Sequence, residues 1–237
     1  MEYLYETHMH TSEVSECARS TAAEQVRSYK EKGYTGIIVT DHFINGNSRC
    51  PRDVPWKKIM DFFVTGYYNA KNEGDKIGLD VFFGWEYTIN GSDFLSYGME
   101  PEFLYKYTDF GSYDIAKYSA VMRENGGFIA QAHPFRKDWY IAYKFPVEPC
   151  YLDGIEVFNS SMPDETNNSA LEFAIQHGLP MQAGSDSHNA SIPFTSGIVL
   201  DKKADSIFDI INAIKANNKK LIVPEGQMYE PYRAVSQ

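Results

Sequence analysis

The sequence predicts an α/β protein, a barrel of about seven βα units formed by a single domain. Two observations carry this. Short apolar runs alternate with helical patterns along nearly the whole chain, the signature of crossover units and a mainly parallel sheet. The 237 residues contain no internal repeat, low-complexity tract or Pro/Gly/Ser linker, so 1–237 reads as one domain with an irregular tail at about 224–237. That many units in that length suit a barrel better than an open sheet.

Taken in order, Tyr3–Thr7 reads as a strand. Thr21–Lys32 follows as a helix, with Ser20 or Thr21 as N-cap and Gly33 as its stop. Gly36–Thr40 (GIIVT) is a buried strand by its β-branched content. Trp56–Glu73 has helical spacing and stops at Gly74. Leu79–Gly84 is a strand, Tyr113–Glu124 a helix and Phe128–Ala132 a strand. Between them the helix-poor insertion Tyr87–Ser112 reads as a loop or small hairpin over one rim. Gly154–Phe158 is the next strand, and Glu165–His177 is a helix ending at Gly178. Met181–Gly184 and Gly197–Leu200 are short strands. Asp205–Asn217 is a helix, and Leu221–Val223 a last short strand.

Composition excludes several classes of function. There are 22 Lys+Arg against 32 Asp+Glu, a net charge of −10, so the chain lacks the basic field that coating a nucleic acid requires. Cys17, Cys50 and Cys150 are too few and scattered for a disulfide framework, and none forms a CxxC zinc pair. No apolar run approaches the ~20 residues of a membrane span, and MEYLYETHMH lacks the character of a signal peptide. The expectation is a cytoplasmic protein in a reducing compartment. No Gly-rich phosphate loop or dinucleotide fingerprint appears, and neither Cys50 nor Cys150, each beside a proline, reads as a nucleophile.

The chemistry lies in the histidines. His8 and His10 form an HxH pair after the first strand, and in extended backbone residues i and i+2 point the same way, so both imidazoles can reach one ion. His42 follows the second strand in TDH, Glu86 the third in GWE, and His133 the next in AHP. Asp186 and His188 follow Met181–Gly184 in GSDSH. Metal-compatible side chains thus lie at the C-terminal ends of five strands, the rim where parallel barrels place their sites. His177 stands apart, in a last helical turn where a cation favours the dipole.

This motif order resembles the PHP (polymerase and histidinol phosphatase) superfamily from about Tyr3 to Val223. The resemblance implies a distorted (β/α)7, TIM-like barrel that binds two or three divalent ions (Mn, Fe or Zn) and acts as a phosphoesterase. It implies that His8, His10, Glu86 and Asp186 bind a first ion. Glu86 would bridge to a second held by His133, and His42 and His188 would hold a third. Two positions depart from the usual histidines of that family. Where the third ion takes a further ligand, the stretch reads TSEVSEC, and Glu16 is the choice, with Glu13 and Cys17 as rivals. Where the second ion takes one, GSDFLSYG places Asp93. Carboxylates at both positions favour harder ions.

Four carboxylates against three divalent ions leave a net positive charge, which complements a phosphoryl dianion. Arg136 in HPFR and Arg19 in CARS can present a bidentate fork to phosphate. Asp41 is either an orienter of a ligand histidine or a general acid for the leaving group. Asn159 is placed to line the pocket, whereas Glu156 fits that role or the satisfaction of buried polar groups. The expected function is hydrolysis of a small phosphomonoester. The alternatives are a nuclease or phosphodiesterase of the same superfamily, an amidohydrolase-type enzyme, and an inactive metal-binding module. The expected partner is a small phosphorylated substrate, not a membrane or a long nucleic acid, and the Tyr87–Ser112 insertion and the aromatic stretch Trp139–Phe145 are expected to shape its pocket.

Overall fold

A computed structural model describes residues 1–142, 146–193 and 195–223. The expected tail at 224–237 and the last three residues of the aromatic stretch Trp139–Phe145 lie outside the described residues. The described strands are β1 (Tyr3–Met9), β2 (Gly36–Val39), β3 (Asp80–Ile89), β4 (Ser92–Tyr97), β5 (Phe128–Gln131), β6 (Gly154–Asn159), β7 (Met181–Gly184), β8 (Gly197–Leu200) and β9 (Lys220–Ile222). They form one sheet in the order β7-β6-β5-β4-β3-β2-β1-β8-β9. The helices are α1 (Ala22–Glu31), α2 (Trp56–Phe63), α3 (Thr65–Ile77), α4 (Ile115–Glu124), α5 (Asp164–His177) and α6 (Ile207–Lys215). Met9 bridges Ser187 in parallel and the His10 N–H donates to Ser187 O at 2.9 Å, so the sheet curls until β1 meets the segment after β7. The result is a nearly closed, mixed α/β barrel. No described helix is long and apolar enough to cross a membrane.

The sheet is less parallel than its sequence pattern predicts. β1–β2–β3 and β5–β6–β7 run parallel, but β4 is antiparallel to both neighbours and β8 and β9 add antiparallel strands beside β1. The insertion expected as a loop or small hairpin is the cause. Asn90 and Gly91 have φ of 51° and 82°, which makes the two-residue turn whose twist matches paired strands. Ile89 consequently faces Ser92, and β3 runs on past Gly84 into the hairpin.

The helix expected over Trp56–Glu73 is two helices that meet at Val64, and the second continues to Ile77. Its stop is Gly78, at φ 73°, rather than Gly74. Gly74 instead allows close approach: a Cβ there would lie 2.6 Å from Leu79 O.

One apolar cluster fixes the direction of the barrel mouth. Trp85 and Tyr87 on β3 are fully buried against Phe43, Phe103, Phe110 and Tyr118, with Tyr87 stacked on Tyr118 at 3.9 Å. Burying each aromatic contributes on the order of 2 kcal/mol. Strand alternation then turns Glu86 to the opposite face, into the barrel mouth.

Candidate metal centre

Five of the six parallel strands, all but β6, deliver donors to the same mouth. His8 and His10 come from the end of β1, His42 from the residues after β2, Glu86 from β3, and His133 from the turn after β5. Asp186 and His188 follow β7. Asp93 sits on β4 opposite Thr88, and Thr88 Oγ1 donates to its Oδ1 at 2.6 Å. Four sets of donor atoms lie mutually within 4.8 Å: His8–His10–Glu86, His8–His133–Asp186, Glu86–Asp93–His133 and His10–His42–His188.

Glu86 is the centre of the group. Its Oε1 lies 3.3 Å from both His8 Nε2 and His133 Nε2, and its Oε2 lies 2.6 Å from His42 Nδ1 and 3.5 Å from His10 Nε2. Asp186 Oδ1 is 3.4 Å from His8 Nε2 and 3.1 Å from His10 Nε2. The Glu86 carboxylate is 0% exposed, yet neither oxygen has a hydrogen-bond partner. A buried, unsatisfied carboxylate is costly unless a cation satisfies it, and nitrogen and oxygen donors in this arrangement suit divalent ions. The residues present therefore fit the metals that the resemblance implies.

The electrostatics point the same way. Burial alone would raise the Glu86 pKa, but His42 and His8 reverse this and hold it well below the usual carboxylate range. Asp186 is depressed in the same manner by His8 and His10. Asp93 is pushed up to about 6, by burial and then by the charge of Glu86. His10 is kept neutral by burial and by His188 and His42. The cluster draws positive charge to itself.

Hydrogen bonds behind the donors fix which nitrogen faces inward. His8 Nδ1 meets Glu156 Oε1 at 3.0 Å, which leaves Nε2 for Glu86 and Asp186. Glu156 Oε2 also accepts the His133 N–H at 2.9 Å and Asn159 Nδ2 at 2.9 Å. The first of these bonds holds His133 at φ 27°, and Asp186 sits at φ 52°. Non-glycine residues in this left-handed region carry strain that cradles such as this one sustain. Glu156 therefore satisfies buried groups and, through them, sets two donors. Asn159 does not line the cavity: it is 0% exposed and accepts from Ser161 N and Oγ, which brings Ser161 to the cavity wall.

Asp41 is not placed to act as a general acid. It is 2% exposed and accepts from Thr11 N, Thr11 Oγ1 and Ser15 Oγ, each at 2.7 Å. Ser15 Oγ in turn meets His10 Nδ1 at 3.1 Å, so Asp41 orients His10 through Ser15. Burial raises the Asp41 pKa to about 6 against these bonds.

Glu16 requires the larger correction. Its side chain is 59% exposed and lies 3.7 Å from Arg49 Nε, outside the donor groups. Cys17, the next residue, is exposed and lines the cavity with His42 and His188; burial would raise its thiol pKa, but these two histidines outweigh that and lower it to about 6.

Arg19 and Arg136 line the same cavity, of about 730 Å³, with Asn45, Asn47, Tyr140 and Met162. Arg136 lies 5.7 Å from the Tyr140 ring and 3.6 Å from Asp138. His177 ends α5, outside the donor groups, with its ring 4.4 Å from Phe173. Tyr140 belongs to the aromatic stretch expected to shape the pocket, whereas Ser15 and Ser161 were not legible as site residues. Ser15 had only its place in the loop after HxH as a signal, and Ser161 only its place after β6.

Residues 164–192, which include Asp186 and His188, match the family model described as PHP-associated. The fold is similar to that of a two-domain protein from Bacteroides vulgatus containing a predicted PHP-like metal-dependent phosphoesterase, with a TM-score of 0.72 and 16% identity. That match covers 94% of this chain and 65% of the other, so the chain spans less than two thirds of that relative. Two other structures are similar to this chain in fold. PsfC from Pseudomonas syringae has a TM-score of 0.65 and 15% identity over 94% of this chain and 92% of its own. The lesion-specific endonuclease PfuEndoQ from Pyrococcus furiosus has a TM-score of 0.66 and 15% identity over 94% of this chain and 58% of its own. No curated protein matches the chain by sequence.

Proposed function

We propose that this chain is a metal-dependent phosphoesterase that hydrolyses a small phosphomonoester in the cytoplasm. The observation that carries the reading is the fully buried Glu86, without a hydrogen bond at either oxygen, set behind His42 and His133, which line a cavity together with Arg19 and Arg136. His8, His10, Glu86 and Asp186 would hold one ion, and Glu86, Asp93 and His133 a second. His42 and His188 would hold a third. Divalent ions there supply Lewis-acid polarisation of a phosphoryl oxygen and a lowered pKa for water.

The chain's own residues do the rest. Arg136 and Arg19 clamp the phosphoryl group and offset its charge. Glu156 and the Asp41–Ser15 pair hold His8 and His10 in the tautomers that turn Nε2 inward. Tyr140, Met162, Asn45 and Asn47 face the organic part of the substrate, and the cavity is the size that encloses a small molecule. A net charge of −10 favours a small substrate over long nucleic acid.

The test is elemental analysis of purified protein, then a phosphate-release screen with Mn, Zn and Mg. Monoesters, diesters and oligonucleotides should be run side by side. Release from monoesters is expected. Cleavage of diesters alone would replace this reading with the nuclease one, and inactivity on all phosphate esters would overturn it.

A further inference from the structure

We propose that Gln25 is a positioning residue of the metal centre: from α1, outside the donor groups, its carboxamide ties the His10 backbone to Ser187 and thereby holds Asp186 against His8 and His10. This rests on the metal-dependent reading above. It concerns the backbone that carries the donors, whereas Glu156 and the Asp41–Ser15 pair support the imidazole rings.

Gln25 is 0% exposed, on a helix that carries none of the donor groups. Its Nε2 donates to His10 O at 3.0 Å and to Ser187 O at 3.1 Å, and the Ser187 hydroxyl meets both ends of the carboxamide at 3.3 Å. Ser187 O accepts the His10 N–H as well. One planar amide therefore spans the seam at which β1 meets the segment after β7. An apolar side chain in its place would take a donor from the carbonyls of two buried residues, and no other neutral side chain of this length offers both donors and an acceptor.

A second bracket stands on the other side of Asp186. Glu6, also 0% exposed, accepts the His8 N–H at 2.8 Å and the Ser185 N–H at 2.9 Å through one oxygen. Its other oxygen accepts from Ser185 Oγ, and from Tyr29 Oη at 2.7 Å. Tyr29 lies one turn after Gln25, on the same face of α1. Glu6 thus couples His8 to Ser185, Gln25 couples His10 to Ser187, and Asp186 stands between the two serines.

The geometry of Asp186 needs both brackets. Its φ is 52°, a conformation that a non-glycine residue holds only when its surroundings impose it. Its Oδ1 lies 3.4 Å from His8 Nε2 and 3.1 Å from His10 Nε2, so a small slip of the segment along β1 takes that oxygen away from both imidazoles. Metal sites tolerate little slip, since donor distances hold to about 0.2 Å. Glu6 lies within β1, where its replacement would disturb the strand itself. Gln25 reaches the seam from a separate helix, so it can be changed without altering either segment that carries donors.

Competition with a chelating dye measures Zn2+ and Mn2+ affinity in metal-free wild type, Gln25→Met, Ser187→Ala, the double variant and Val26→Ala, with circular dichroism as the check on folding. Val26 is equally buried on α1 and packs in an apolar cluster, so Val26→Ala lowers stability without touching the clamp. Gln25→Met is expected to lower affinity by ~10- to 100-fold, the scale on which a support behind a donor acts. Ser187→Ala should lower it less, and the double variant should bind like Gln25→Met alone, because the two groups act through one another. Val26→Ala should lower the melting temperature and leave affinity at the wild-type value. Wild-type affinity in folded Gln25→Met, losses that add in the double variant, or an equal loss in Val26→Ala would overturn the proposal. If Gln25→Met does not fold, Ser187→Ala decides, and unchanged affinity there overturns it. Phosphate release is read on the same samples. Hydrolysis by the wild type with unchanged affinity in Gln25→Met removes the role of Gln25 and leaves the phosphoesterase reading intact. A loss of affinity in that variant, with no ester hydrolysed by the wild type, keeps the role of Gln25 and removes that reading. A wild type that binds neither ion overturns both.

Discussion

Glu86 concentrates the site's chemistry in one side chain, because four imidazoles approach a carboxylate that no protein donor satisfies. Glu86→Gln preserves its shape and removes its charge, so a loss of at least ~10²-fold in kcat is expected, read from steady-state hydrolysis of the best monoester. Near-wild-type turnover in a folded, metal-loaded variant would refute its central role. Glu156 acts at one remove, through His8 Nδ1 and the His133 N–H. Glu156→Gln keeps one acceptor and loses the other, so metal affinity should fall by ~10- to 100-fold, the usual effect of removing such a support. Competition with a chelator measures this. A drop in melting temperature with unchanged affinity would mark Glu156 as merely structural.

At the scale of elements, the β3–β4 hairpin carries Glu86 and Asp93, and its turn also touches the rim. A Cβ at Gly91 would lie 2.6 Å from Tyr140 O, while the Ala142 N–H donates to Asn90 O at 3.0 Å. Gly91→Ala should therefore cost about 1–2 kcal/mol through its positive φ and should also displace Tyr140, raising KM. Gly33, at φ 83° with nothing near its Cβ, supplies the control: Gly33→Ala should lower stability and leave KM unchanged. Urea midpoints and KM values for the two variants decide the matter, and equal KM values would remove the link between turn and pocket. The Asn-Gly pair was visible in the sequence. Its consequence for strand direction was not, because an apolar, aromatic insertion reads equally as loop or hairpin until its partner strand is known.

For the whole molecule, ions bound at the cluster would also serve stability. The cluster gathers buried carboxylates and imidazoles from both ends of the chain, and bound ions would hold β1 against the segment after β7 where the barrel closes. An ion present at 100 times its Kd stabilises the folded state by ~2.7 kcal/mol, which at this length raises Tm by about 5–10 °C. Chelation should reverse that shift and Mn2+ or Zn2+ should restore it, as thermal melts would record. A chelated protein that melts at the untreated temperature would show that no ion is bound.

The sequence by itself determined the alternation of strands and helices and the positions of HxH, TDH, AHP and GSDSH at strand ends, while GWE lies within β3, which continues to Ile89. Periodicity and side-chain chemistry are local properties, so they survive without coordinates. Tertiary structure alone decided between neighbours in a loop. Glu16 and Cys17 are adjacent, and only the bonds of their backbone to Asn47 and His188 determine that the thiol faces the cavity and the carboxylate faces Arg49. The same holds for Asp41 and Glu156. Both are buried acids, one just past β2 and one within β6, and what each does follows from Ser15, His8 and His133 coming to it across the barrel. Those partners are distant in sequence, and only closure of the sheet brings them within hydrogen-bonding distance.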